Sequence, residues 1–366
     1  MTITHDLAAD DAVAPTPDAE QRGRRTGGAL GRYLLVRFLL IFPTVFILVT
    51  VVFVLMRATG DPITAALGGR LPPDQLAERI HQAGYDRPIF VQYLDYLGHI
   101  VRGDFGTTLS DHLPVTQVLM TYGAATLELA VYALIVAFAV GIPLGRVAAA
   151  RRDRLPDAGL RVGAILAYAT PVFFAGLVLK LIFAVWLNWL PPNGRASTID
   201  LLKMKLHGAK TGIYLIDAIS TGQWSVVVDV LQHAILPALA LGLLTAGVFL
   251  RLVRTNMIIT LQTGYVEAAR SRGVSERRLV RAHAWRPALV PIITVIGLQI
   301  AMLLGGAVLT ETTFEWKGLG FQLVQYLNAR DFVAVQGMVA LLAVIVAVTN
   351  FIVDVIAALV DPRIRY

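Results

Sequence analysis

Runs of apolar residues long enough to cross a lipid bilayer recur along this chain. A spanning helix needs roughly 20 mostly apolar residues, and six stretches approach that length: Phe38 to Met56, Ala125 to Leu144, Val162 to Leu187, Ile235 to Leu250, Ala288 to Leu309 and Val333 to Leu359. The fourth, short between His233 and Arg251, needs some of its flanks to span. The segment after the first span carries an amphipathic stretch from Phe90 to Val101, expected as a small helix on the outer membrane surface. The segment after the third opens with a turn signal at Leu190 to Gly194, and the one after the fifth, Thr310 to Asp331, is compact and aromatic. Residues 1–28, rich in Ala, Asp, Pro and Thr without an apolar core or cleavage site, read as a disordered cytoplasmic tail. The chain thus divides into that tail, a first span with a long outer loop over 29–124, and a core of five spans over 125–366.

Composition agrees. The 366 residues are 56% hydrophobic and 16% charged, with mean hydropathy +0.65, outside the range of ordinary soluble domains. The absence of cysteine excludes disulfides, thiolate metal sites and cysteine nucleophiles together. The net charge of +7 would suggest nucleic acid in a soluble protein, but its distribution points elsewhere. Of the 32 Lys and Arg, 20 fall on one side of the six stretches, in the N-terminal segment, Arg146 to Arg161, Arg251 to Arg286 and the C-terminus. By the positive-inside rule that side is cytoplasmic, both termini lie there, and the partners are membrane lipids rather than nucleic acid.

No enzyme chemistry is visible. A phosphate-cradling loop needs G-x-x-x-x-G-K followed by Ser or Thr, and the nearest string, Gly208 to Thr211, lacks the glycine before its lysine. Neither a zinc-type HExxH pair nor a G-x-S-x-G nucleophile elbow occurs. No catalytic residue, metal site or cofactor is therefore assigned to this chain.

Charges at the bilayer are the first candidates for function, because they are costly there. Glu128 stands at the outer mouth of the second span, where its carboxylate either draws in a cationic group or stays hydrated. Lys180, about 12 Å from the outer end of its span at helical rise, either snorkels and pairs with a helix or lines a pathway. Asp354 lies within reach of a cytoplasmic base. Pro43, Pro143, Pro171 and Pro237 sit in or beside spans, where each removes a backbone bond and bends the helix.

The cytoplasmic loop over 251–287 is the most informative segment. Tyr265, Val266, Ala268 and Ala269 are compact or apolar, Glu267 and Arg270 are charged, and Gly273 sits where a helix of two turns ends in a left-handed cap. Ser275 then suits an N-cap, with Glu276 at the positive end of the new helix. Two short helices across a loop make a rigid lever with small positions that another protein can approach. The competing reading is an interfacial helix held by anionic headgroups.

Glu267, Ala268, Ala269 and Gly273 resemble the EAA loop of ATP-binding-cassette (ABC) importer permeases. Further strings are similar to the dipeptide, oligopeptide and nickel branch of that family: Gly84 to Leu109, ATLELA at Ala125 to Ala130, the third stretch through its LPPNG exit, Leu303 to Gly320, and the terminal DPRIRY. The chain departs from that pattern at Gly264, where the branch often has Asp, at Arg286 and Pro287, near where it has Asn, and at Lys317, in place of Pro. The resemblance implies an all-α, polytopic transmembrane bundle of six spans with the type I ABC importer permease fold, in a bacterial inner membrane. It implies a coupling role for Tyr265, Glu267, Ala268, Ala269, Gly273 and Ser275 against a cytoplasmic ATPase. It implies as partners a homologous second permease, two ATPase subunits or domains that carry ATP and Mg, and an extracytoplasmic solute-binding protein that delivers dipeptides or oligopeptides. Nickel or another small ligand is the alternative cargo within the family, and proton-coupled secondary transport is the alternative outside it.

Overall fold

The computed structural model describes the backbone of residues 18–360 apart from position 70, and side chains from Gly31 onward except at several positions between 290 and 306 and at 357, 359 and 360. The first 17 residues of the expected tail, and the terminal DPRIRY, lie outside the described residues. The rest of that tail, 18–28, is helical instead of disordered, its backbone continuing the first span without interruption.

Among the described residues the chain is helical throughout, with one isolated bridge between Thr107 and Pro114. In order, α1 (Asp18–Ala58) is followed by the short helices α2 (Pro62–Leu67), α3 (Pro73–Gln82) and α4 (Ile89–Val101). Then come α5 (Val115–Ala150), α6 (Leu155–Ala169) and α7 (Val172–Leu179), which runs on as a π-helical stretch over Lys180–Trp186. After α8 (Thr198–Leu206) and α9 (Tyr214–Ser220) follow α10 (Trp224–Leu261), α11 (Gly264–Ser271) and α12 (Glu276–Arg278). A second π-helical stretch, Leu279–Ala284, leads into α13 (Trp285–Thr313), and α14 (Leu319–Asn328) and α15 (Phe332–Val360) complete the fold.

Four of these helices, from Gly31–Ala58, Val115–Ala150, Trp224–Leu261 and Phe332–Ile356, have the length and apolarity to cross a membrane, and a bent pair adds a fifth candidate. The weak fourth stretch is resolved as anticipated, since α10 recruits flanks on both sides and reaches 38 residues.

The third stretch is not one continuous helix. α6 and the run Val172–Trp186 meet at a bend of 105°. The cause is Pro171: a proline disfavours the helical region for the residue before it, and Thr170 is extended at φ −81°, ψ 124°. Thr170 closes the broken end itself, its backbone N–H and hydroxyl both donating to the Leu166 carbonyl. Pro43, Pro143 and Pro237, by contrast, are accommodated inside helices that continue past them.

The core is the contact between α5 and α10, where backbones rather than long side chains meet. A Cβ on Gly141 would lie 2.7 Å from the Ala246 carbonyl oxygen, and one on Gly145 would lie 2.8 Å from that of Leu250. From the other side, a Cβ on Gly242 would lie 2.7 Å from the Ala133 carbonyl oxygen. Small residues at this spacing let helices pack closely where water supplies no driving force between them. Below this seam, Phe249 meets Phe138 edge-on at 5.0 Å, and Val253, Met257, Ala284, Ala288 and Ile292 join α10 to α13. At the other end of the bundle, α14 and α15 close over the start of α5 through Val118, Leu319, Tyr326 and Met338. α1 lies against α15, with Phe38 on Phe351 and Arg37 paired with Asp354 at 3.5 Å, and leaves Leu39, Phe42, Phe46 and Ile47 exposed. A soluble domain would not leave such an apolar helix face open.

The seam makes a testable distinction between glycines. Gly141→Leu is expected to lower stability by about 1–3 kcal/mol or prevent assembly, as overpacking does. Gly159→Leu, where a Cβ meets nothing within 4 Å, is expected to melt with the unaltered protein in a detergent thermal-unfolding assay.

Candidate coupling elbow and buried charge sites

The loop over 251–287 folds into an elbow. α11 ends at Ser271, Gly273 adopts φ +82°, and α12 starts after Ser275. Val266 and Ala269 on α11 and Leu279 after α12 are buried together, with Leu261 and Val274 packed on them. This small core fixes the angle between the two helices. Of the Glu-Ala-Ala triplet, Glu267 and Ala268 face outward while Ala269 is buried, so Ala269 is small because it packs inside the elbow. Tyr265 is half exposed and its hydroxyl donates to the His283 carbonyl at 3.1 Å, tying α11 to the start of the return helix.

Ser275 occupies the N-cap position, but its side chain accepts no capping bond; its carbonyl receives the amides of Arg278 and Leu279. Glu276 serves the turn by another means than the helix dipole. Its carboxylate accepts from Arg270 Nε at 2.6 Å across Gly273, and this bond and charge hold the carboxyl below its ordinary value. A depressed carboxyl contributes above its unfolded value and is lost as pH falls through the folded one, so the clasp is fully made at neutral pH.

Glu128 is not an open carboxylate at the outer mouth. It is 4% exposed and forms an ion pair with Arg195, itself buried, while Tyr132 and the Leu215 amide donate to Oε1 at 2.9 and 3.0 Å. Arg195 also donates to the Gly212 carbonyl at 2.8 Å, and its guanidinium lies 3.6 Å from the Tyr214 ring centroid. The position just past the LPPNG turn carried no marker of this role, because an arginine after a turn reads as solvated.

Next to this pair, the ATLELA string interlocks with the segment Thr310 to Gly320. Trp316 is fully buried and its indole donates to the Ala125 carbonyl at 2.8 Å. Thr126 donates its hydroxyl to Glu311 Oε1 at 2.7 Å and accepts the Leu319 amide at 2.8 Å, while Glu311 Oε2 receives the Phe321 amide. A Cβ on Gly320 would lie 2.5 Å from Val308 Cα, so the start of α14 can approach α13 this closely only with glycine there. The two strings are two halves of one clasp.

Lys180 pairs with a helix end. Its ammonium donates to the Thr313 carbonyl at 2.8 Å, at the negative end of α13, and lies 5.5 Å from the Phe314 ring centroid. At the opposite end of the bundle, Asp157 is fully buried and takes both Nε and Nη2 of Arg254, at 2.6 and 2.7 Å, plus the Asp153 amide. That pair escaped notice in the sequence, although Asp157 is one of only two acids within the basic run from Arg146 to Arg161.

Comparison with known proteins shows what carries this architecture. The profile of the binding-protein-dependent transport system inner membrane component family matches residues 141–366, and that of its N-terminal membrane component matches residues 30–123. The chain is 38% identical over 329 residues to the di/tripeptide transport system permease protein of Pseudomonas aeruginosa, covering 89% of this chain and 96% of that protein. It is 38% identical over 339 residues to the dipeptide transport system permease protein of Escherichia coli K12, covering 92% and 99%. The glutathione transport system permease protein of Salmonella choleraesuis is 34% identical over 338 residues, covering 91% and 99%.

The buried Glu128–Arg195 pair predicts a specific pattern of stability. Glu128→Gln or Arg195→Met alone leaves one buried charge unmatched and is expected to cost about 3–5 kcal/mol. The double variant is expected to recover a substantial part of that loss, as read by a double-mutant cycle on thermal unfolding in detergent.

Proposed function

This chain belongs to the binding-protein-dependent transport system inner membrane component family, and we propose from that premise that it imports dipeptides. It is a permease subunit of an ABC importer and not an enzyme. The dipeptide cargo is that of dipeptide permeases which this chain matches over nearly their whole length. In the proposed assembly a homologous permease sits beside it, an external binding protein delivers peptide, and two cytoplasmic ATPases bind and hydrolyse ATP with Mg. The proposed topology has six spans, with α13 as the fifth and the bent run α6–α7 as the third, and both termini in the cytoplasm.

The observation that carries the mechanism is the elbow over α11 and α12. Its inner face is packed and its outer face, with Tyr265, Glu267, Ala268, Gly273 and Ser275, is exposed. A lever transmits force only if its own joint does not yield. The Val266, Ala269 and Leu279 core and the Arg270–Glu276 clasp supply that stiffness. α10 leads into α11 after two residues, so a displacement of the elbow by a closing ATPase pair would move the α5–α10 seam as a body. Glu128 and Lys180 enter this reading as supports that hold the outer ends of α5 and α7 in register, in place of ligand-binding groups.

Gly273→Val tests the elbow. A non-glycine residue in the left-handed region costs roughly 1–2 kcal/mol, and peptide uptake is expected to fall by about tenfold or more while capture by the binding protein is unchanged. Undiminished ATP-driven uptake would reject the role. Orientation is checked separately, using the absence of native cysteine. Ser275→Cys is expected to react with a membrane-impermeant maleimide in inverted vesicles and not in intact cells.

A further inference from the structure

A cavity of about 330 Å³ opens on the side of the outer helices, between the end of α1, α4 and the beginning of α15, with Arg57, Tyr85, Gln92, Tyr96, His99 and Gln336 in its lining. We propose that it binds a small molecule carrying both a carboxylate and an N–H donor, such as a free α-amino acid. Three polar atoms on its walls are buried without a hydrogen-bond partner: Arg57 Nε, Gln92 Oε1 and Tyr96 Oη. Buried polar groups are nearly always satisfied, and here three unsatisfied ones share one space.

Each of the three specifies part of a ligand. The Gln92 amide is fixed because Nε2 donates to the Tyr85 and Arg87 carbonyls, at 2.9 and 2.7 Å. Turning it over would set an oxygen against two oxygens, so the free atom is an acceptor and requires an N–H. Arg57 stacks on the Tyr85 and Phe53 rings, with guanidinium carbon to centroid distances of 4.4 and 5.3 Å, but no carboxylate pairs with it among the described residues. The other charges around the cavity are matched, Arg87 with Asp95 at 3.4 Å and His99 with Asp104 at 2.9 Å. The Arg57 guanidinium therefore has no carboxylate within ion-pair distance among the described residues, and a ligand carboxylate would supply one. Tyr96 Oη, able to donate or accept, serves either end of such a ligand.

The cavity is built into the fold. Tyr93 and Thr50 share a hydrogen bond of 2.6 Å, and Phe53 packs on both Tyr93 and Tyr96, which locks α4 to α1. A Cβ on Gly337 would lie 2.1 Å from the Phe105 carbonyl oxygen, so α15 and the loop after α4 are in backbone contact at the floor. The volume is near the lower end for ligand pockets, roughly 300–1,000 Å³, and suits a single amino acid. The site lies where α1, α4 and α15 converge, so occupancy would add a bridge between the end of α1 and the start of α15.

Equilibrium dialysis of radiolabelled L-alanine against the complete importer in nanodiscs, without its binding protein, tests this. Saturable retention is expected, with alaninamide competing about tenfold or more weakly because it has no carboxylate for Arg57. Arg57→Met and Gln92→Leu are each expected to weaken retention by about tenfold or more. Tyr96→Phe, which removes only the hydroxyl and keeps the packing, is expected to weaken it less. No saturable retention by the unaltered complex, or unchanged retention in Arg57→Met and Gln92→Leu complexes that melt normally, would overturn the proposal. Uptake of dialanine, followed in the same preparations, reports on the transport reading independently of that outcome.

Discussion

The close approach of α5 and α10 is the constraint on which the rest of this molecule depends. In a bilayer, apolar side chains gain little by leaving lipid for protein, so helices are held by contact and by hydrogen bonds rather than by expulsion of water. The Gly141, Gly145 and Gly242 surfaces provide that contact by removing the side chains that would separate the backbones. Once these two helices are fixed, α6 and α13 are positioned by packing against α10, and the outer clasp is positioned by what α5 presents at Ala125 and Thr126.

The elbow inherits its position from the same seam. Arg254 lies two turns before the end of α10, and its bidentate bond to Asp157 ties that end to the start of α6 just ahead of the elbow. The turn at Asp153, which donates its amide to the same carboxylate, joins α5 to the knot. Three helix ends thus converge on one buried carboxylate beside the segment proposed to receive the ATPase stroke. A load applied there would be shared among α5, α6 and α10 rather than bending one of them.

Much of this was legible in the sequence, and the parts that were not share a physical cause. Apolar runs located the helices because a spanning segment must be long and nearly free of charge, and Gly273 was readable because a left-handed residue favours glycine. The Phe90 to Val101 stretch was visible by its periodicity and forms α4. The bend at Pro171 was harder, because a proline inside an apolar run is compatible with a continuous helix, as Pro143 and Pro237 are. The partners of Glu128, Asp157 and Lys180 were illegible for a related reason, since each lies 67, 97 or 133 positions away. Local pattern can mark a costly charge, but only the tertiary fold names its counter-charge.

The placement of those charges explains how an almost wholly apolar bundle adopts one arrangement among many. Apolar helices can slide or rotate against each other with little change in contact area, so packing alone specifies register weakly. A buried ion pair behaves differently, because a slip of one residue leaves two charges without partners. Glu128–Arg195 lies at the outer end of α5, and Asp157–Arg254 lies where α5, α6 and α10 meet at the other. Such pairs give little net stability relative to apolar replacements, but they penalise misregistered states heavily. One pair ties α5 to the segment between α7 and α8, and the other ties α6 to α10, so each fixes a neighbour of the α5–α10 seam against one of its two helices. In the proposed cycle, motion of the elbow would then reach the clasp around Trp316 as displacement of a body rather than be lost as sliding within it.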